Sequence, residues 1–236
     1  MKIKLYHGTS KIFLDSIIEH GLGGINPNFY FKNFSLFKYL SEISEIKLCK
    51  NSEYIAMRPE IIAIGNQTDL VFKDKYGEVK KVNYRHDGIY AAYSREKAAI
   101  YCCDNKYGSE ILEYCIKLYL LIKKVDENFA IPAELNLFKI ENYINIEHKP
   151  IIIEILDVKD YEVETENRKK GKDALIALQN AFNFLTQKQK FEELQFLNFK
   201  LLCPIPRNRL KFYDVEFSNR PTSGNFEFTM CEITSK

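Results

Sequence analysis

Between Asp87 and Cys102 the chain reads Asp-Gly-Ile-Tyr-Ala-Ala-Tyr-Ser-Arg-Glu-Lys-Ala-Ala-Ile-Tyr-Cys, a short apolar run behind a glycine followed at once by a helix-forming run. Gly88 to Ala92 has the pattern of a buried strand. Ser94 is placed to cap a helix whose first turns, Lys97 to Cys102, are rich in good helix formers. On that helix Ala98 and Tyr101 are three residues apart and share a face. A strand therefore presents Tyr90 and the helix after it presents Tyr101. Two aromatic rings on neighbouring rigid elements make a slot for a flat ring.

The amino-terminal region has a second pattern of this kind. Lys2 to Tyr6 alternates polar and apolar residues, as a half-buried strand does, and runs into His7-Gly8-Thr9-Ser10. Gly8 lets a ligand approach the backbone closely, and Thr9 or Ser10 can cap the helix that follows. Ile12, Phe13, Ile17 and Ile18 keep a near-helical period up to Gly21, a C′ glycine. This reading puts the His7 imidazole at a strand's end, on a sheet edge where pockets form.

Elsewhere the pattern predicts a helix over Phe34 to Lys50, a strand within Tyr54 to Ile64, and a hairpin from Asp69–Phe72 and Val79–Tyr84. Ser109 to Lys124 reads as helix or strand, with its tyrosines and β-branched residues favouring a strand. Lys149 to Val158, Leu210 to Phe217 and Asn225 to Ile233 read as strands, and Asp173 to Leu202 as helical. The expected fold class is α+β, a single domain over 1–236 with a helical insertion at 173–202.

Bulk properties exclude several classes. The 236 residues carry a formal net charge of +2, which gives no global case for a nucleic-acid or membrane-surface partner. Arg168 to Lys172 and Arg207 to Arg209 are local basic runs able to contact phosphates. Six cysteines form no CxxC pair and four histidines show no zinc-ligand spacing, so no metal is expected and the thiols read as reduced, in a cytoplasmic compartment. No stretch approaches the ~20 apolar residues of a membrane span, and Met1 to Leu5 does not read as a signal peptide. Delivery into another cell would then need a different route.

Tyr6-His7-Gly8-Thr9-Ser10, with Ile17 and Gly21-Leu22 behind it, resembles the first motif of the ADP-ribosyltransferases. Gly88-Ile89-Tyr90 through Ala98-Ala99-Ile100-Tyr101 is similar to their second motif, as found in the poly(ADP-ribose) polymerase and diphtheria-toxin-like branch marked by a His, Tyr, Glu triad. The resemblance implies a third member on a strand near the carboxyl terminus. Glu227, in Asn225-Phe226-Glu227-Phe228-Thr229-Met230, is assigned to it, with Glu232 as substitute. Five positions apart, the two lie on opposite strand faces. The implied fold is a split mixed or antiparallel β-sheet core with flanking helices.

The resemblance further implies NAD as substrate. Cleavage of the nicotinamide–ribose bond passes through an oxocarbenium-like state that a carboxylate stabilises. In this reading Glu227 supplies that carboxylate, His7 bonds a hydroxyl of the adenosine ribose, and the Gly8 backbone bonds the nicotinamide amide. Tyr90 and Tyr101 sandwich the ring, and Thr9, Ser10, Ala91 and Ala98 complete the cofactor site. Ala98 departs from the pattern: many relatives have a serine there, and its absence removes about one hydrogen bond, roughly 0.5–1.5 kcal/mol. The implied activity is that of a mono-ADP-ribosyltransferase, a bacterial toxin, effector or defence enzyme. Its acceptor is a protein side chain, or an RNA or DNA base, and an antitoxin, immunity or chaperone protein is a conceivable partner. The alternatives are an RNA 2′-phosphotransferase-like enzyme and a non-catalytic module that binds NAD or ADP-ribose.

Overall fold

The computed structural model describes residues 4–73, 77, 79–165, 171–182, 184, 198–219, 221 and 226–233. In chain order its elements are β1 (Leu5–Ser10), α1 (Leu14–His20), α2 (Pro27–Tyr30), α3 (Asn33–Lys47), α4 (Ser52–Asn66), β2 (Asp69–Lys73), β3 (Val79–Asn83), β4 (Tyr90–Ala92), α5 (Arg95–Asp104) and α6 (Glu110–Val125). There follow β5 (Pro150–Ile155), β6 (Val163–Thr165), α7 (Gly171–Phe182), β7 (Asn198–Leu201), β8 (Leu210–Ser218) and β9 (Glu227–Glu232). The class is α+β, as expected. The chain divides into two compact units, one of Met1–Asn26, Gly88–Ser109 and Glu147–Lys236, the other of Pro27–Asp87 and Glu110–Ile146. Both motif regions belong to the first.

The first unit holds a seven-stranded sheet of order β6-β7-β4-β1-β5-β8-β9. Each neighbouring pair is antiparallel. The ladder between β1 and β5 runs along all six residues of β1, whereas β1 meets β4 at the single pair Tyr6↔Ala92, the narrowest junction in the sheet. Every residue of β5 is buried, as a strand covered on both faces requires. Helix α5 lies across one face, where Ala98, Ala99, Cys102 and Cys103 meet Ile152 and Val215, with Phe228 and Met230 of β9 packed beside them. Small helix residues let that helix come close to the sheet.

The same unit corrects two expectations. Residues 198–201, assigned to a helical insertion over 173–202, form strand β7 between β4 and β6; helix α7 accounts for Gly171–Phe182, and 185–197 lie outside the described residues. Asn198-Phe199-Lys200-Leu201 alternates, and its apolar members are buried, so strand pairing overrides the helical run before it. His7 sits within β1, not at its end, since pairing to β5 continues to Ser10.

The second unit is largely helical and holds the expected β2–β3 hairpin, whose register pairs Leu70 with Val82. Its helix α6 replaces the strand predicted over Ser109 to Lys124. Ile111, Cys115, Leu118 and Ile122 are buried at helical spacing, while Glu113 and Lys117 pair four residues apart. That 3.6-residue period outweighs the β-branched content. Helix α4 likewise replaces the strand predicted within Tyr54 to Ile64. The Asn51 side chain accepts from the Tyr54 amide at 2.9 Å to cap it, and Pro59 is tolerated inside it.

One ion pair ties the carboxyl end of β5 to β6 and β8. Arg209 meets both carboxylate oxygens of Glu162, at 2.6 and 2.8 Å, and donates to the carbonyls of Leu156 and Asp157. The Glu162 side chain is 7% exposed, so removing its partner strands a buried charge. Arg209→Met is expected to cost about 3 kcal/mol in urea unfolding. By contrast, Asp214→Asn in the exposed Lys11–Asp214 pair should cost no more than about 1 kcal/mol.

Candidate active site

Position 8 sets how the two motifs meet. A Cβ there would lie 1.9 Å from the carbonyl oxygen of Ala98 and 3.2 Å from the Cys102 amide, so only glycine lets α5 settle on β1. Gly8 therefore faces α5, and by strand alternation the His7 side chain leaves β1 from the opposite side. Among the described residues the ladder between β1 and β4 is a single pair, Tyr6↔Ala92. Where it stops, the His7 ring bridges the two strands, its Nδ1 lying 2.7 Å from the Tyr90 carbonyl oxygen.

That contact fixes the chemistry of the imidazole. Burial pushes its pKa down, against the opposing pull of the Tyr90 carbonyl, so the ring is neutral at neutral pH. A neutral ring that bonds a carbonyl through Nδ1 carries its proton there. Nε2 is then an acceptor, suited to a hydroxyl donor such as a ribose.

Tyr90 and Ala92 project to the α5 side of the sheet, as does Asn198, opposite Ala92 in β7. Asn198 reaches α5, its Nδ2 lying 3.4 Å from the Tyr101 hydroxyl. Helix α5 starts where the sequence places it, with the Ser94 hydroxyl accepting from the Lys97 amide at 3.1 Å. One turn on, the Lys97 ammonium stands 4.7 Å from the centre of the Tyr101 ring, a cation–π contact. Tyr101 is 48% exposed. Thus Gly8, Tyr90 and Tyr101 gather on the α5 side of β1 and β4, while the His7 ring leaves β1 on the other face and reaches the Tyr90 backbone carbonyl at the junction of the two strands.

No family model, curated protein or solved structure matches this chain. The site stands on its own geometry.

Several predicted members of the site do other work. Thr9 and Ser10 are buried; the Thr9 hydroxyl donates to the Gly108 carbonyl at 3.0 Å, and a Cβ on Gly108 would strike the Ser10 backbone. They anchor the loop after α5. Ala91 lies opposite Phe199, on the face turned away from Tyr90, and is buried. Ala98 is buried where α5 meets Gly8. Arg209, read as a phosphate contact, is held in the Glu162 clamp, and Arg207 covers the Phe212 ring. Of the Arg168 to Lys172 run, 168–170 lie outside the described residues.

Glu227 is the largest correction. It is exposed on β9, the edge strand three positions from β1 and four from β4. At about 4.8 Å per strand this is ~14 Å from β1 and ~19 Å from β4. Its register partner Ser218 is six residues along β8 from Phe212, the residue opposite Ile153, which in turn pairs with His7. Glu227 does not join His7 and Tyr90. The substitute Glu232 lies on the same edge strand, paired with Lys211. Asn198 and Lys200 stand beside Tyr90 within the stretch whose pattern predicts a helix, and Glu164 lies one strand further, ahead of that stretch. The polar–apolar alternation of 198–201 was the available signal.

Two measurements check this site. Gly8→Ala should destabilise the protein by about 1–3 kcal/mol in urea unfolding, because α5 must move off β1. On acidification below the usual imidazole pKa of about 6.5, the unfolded chain takes up the His7 proton first, so stability falls until the lower folded-state pKa is reached. His7→Gln, which keeps a donor to the Tyr90 carbonyl, should lose less stability than wild type between pH 7 and 5.

Proposed function

We propose that the first unit is an NAD-dependent mono-ADP-ribosyltransferase, built on an ADP-ribosyltransferase-like sheet, that releases nicotinamide and transfers ADP-ribose to a protein side chain or a nucleic-acid base. The observation that carries this reading is the His7–Tyr90 contact. It joins the two motif regions at one place, with an imidazole acceptor at the β1–β4 junction and the two tyrosines on the α5 side of the same strands. A dinucleotide needs such groups: an acceptor for a ribose hydroxyl, backbone amides for a carboxamide, and aromatic faces for a flat ring. The modification of a macromolecule, and an antitoxin or chaperone that restrains it, belong to the same proposal. No helix among the described residues is long and apolar enough to cross a membrane.

The position of Glu227 favours a second reading, a module that binds NAD or ADP-ribose without cleaving it. The phosphotransferase alternative loses support from Arg209, whose guanidinium is held by Glu162.

Calorimetry with NAD, followed by chromatography for released nicotinamide, separates these. Wild type is expected to bind NAD and release nicotinamide. His7→Ala removes one hydrogen bond, about 0.5–1.5 kcal/mol, which is up to roughly a tenfold rise in Kd. Tyr101→Ala should weaken binding by a similar factor. Absence of NAD binding at millimolar concentration would overturn both NAD readings, and binding without release would leave the module.

A further inference from the structure

With Glu227 at the far edge, an NAD-cleaving site needs a carboxylate from elsewhere, and the sheet register points to one. Tyr90 pairs with Lys200 on β7, and Lys200 pairs with Glu164 on β6. The three form a row across adjacent strands, and strand pairing puts them on the face that carries Asn198 and Tyr101. Lys200 Nζ stands 3.7 Å from Glu164 Oε1, and both side chains are partly exposed, at 21% and 24%. Gly88 makes room for this: a Cβ there would lie 2.6 Å from the Lys200 stem. Tyr90 and Glu164 are two strand spacings apart, about 9–10 Å between backbones, enough for a ring beside Tyr90 and the sugar attached to it.

The buried acids of the unit among the described residues, Glu162 and Glu154, are already committed, Glu162 to Arg209. Lys4 at 2.5 Å and the Tyr213 hydroxyl at 2.8 Å hold Glu154, which is 6% exposed. Burial raises its pKa, but those two partners outweigh burial and hold the carboxyl below its usual range. Among the described residues Glu164 has Lys200 beside it, and its side chain is 24% exposed.

We infer that Glu164 is the catalytic carboxylate of this site and Lys200 its positioning residue. The inference rests on the NAD-cleaving reading above. When the C1′–N bond of the nicotinamide ribose breaks, its electron pair passes to the ring nitrogen and nicotinamide leaves neutral. Glu164 then faces the oxocarbenium carbon that remains. The nucleophilic oxygen or nitrogen of the acceptor forms the new bond to C1′ and gives up its proton to the carboxylate, then to solvent.

The experiment measures NAD affinity by calorimetry and nicotinamide release in single turnover, with folding checked by circular dichroism. Glu164→Gln should bind NAD within about twofold of wild type but release nicotinamide about 100-fold more slowly, the scale of one lost electrostatic contact to a transition state. Glu164→Asp, which keeps the charge, gives the same test if the glutamine variant misfolds, with an intermediate rate expected. Lys200→Met should lower the release rate at unchanged affinity, with Lys200→Arg restoring most of it; a purely structural pair would show no such split. Release from Glu164→Gln at the wild-type rate would overturn the assignment while leaving the transferase standing. Wild-type binding without release would remove both and leave an NAD-binding module.

Discussion

The seat of α5 on β1 governs the first unit. At position 8 the helix backbone comes so near the strand that a methyl group would occupy the space of the Ala98 carbonyl. Close packing of this kind needs small residues on both sides, and Ala98, Ala99, Cys102 and Cys103 supply them on the helix. Once α5 is seated, its first turns stand by β4 and β7, and its later turns meet Ile152, Val215 and the apolar side chains of β9. Phe228 and Met230 therefore finish a core, and Glu227 on the same strand is left outside the place where the tyrosines meet.

Hydrogen bonding separates residues that build the site from residues open to a ligand. A buried polar group without a partner is costly, so the fold absorbs several that look functional in isolation. Thr9 holds the Gly108 carbonyl, and Arg209 is spent on Glu162 and two carbonyls. His7 differs. Its Nδ1 is committed to the backbone of Tyr90, and that commitment is what makes Nε2 an acceptor.

Neighbour relations in the sheet carry the functional argument, and they are not sequential. Strand β4 lies between β1 and β7, and β9, the last strand, lies at the opposite edge from β6. An acid on a carboxyl-terminal strand can be near Tyr90 or ~19 Å away depending only on that order. The row Tyr90–Lys200–Glu164 exists because β7 and β6 pair on the far side of β4.

Local chemistry was legible in the chain. The Ser94 cap, the strand at Tyr90, the Gly21 turn, the β2–β3 hairpin and the isoleucine-rich β5 follow from capping, periodicity and burial, which act over a few residues. Where two local signals competed, packing chose: the buried spacing of Ile111, Cys115, Leu118 and Ile122 made α6 a helix, and pairing to β4 made Asn198 to Leu201 a strand. By itself, then, the sequence determined an α+β chain whose His7 and Tyr90 regions are a strand and a strand-to-helix turn. Only the tertiary structure decided which strand lies beside Tyr90, and so which carboxylate is within reach, because strand order depends on long-range burial and hydrogen-bond pairing that no short stretch encodes.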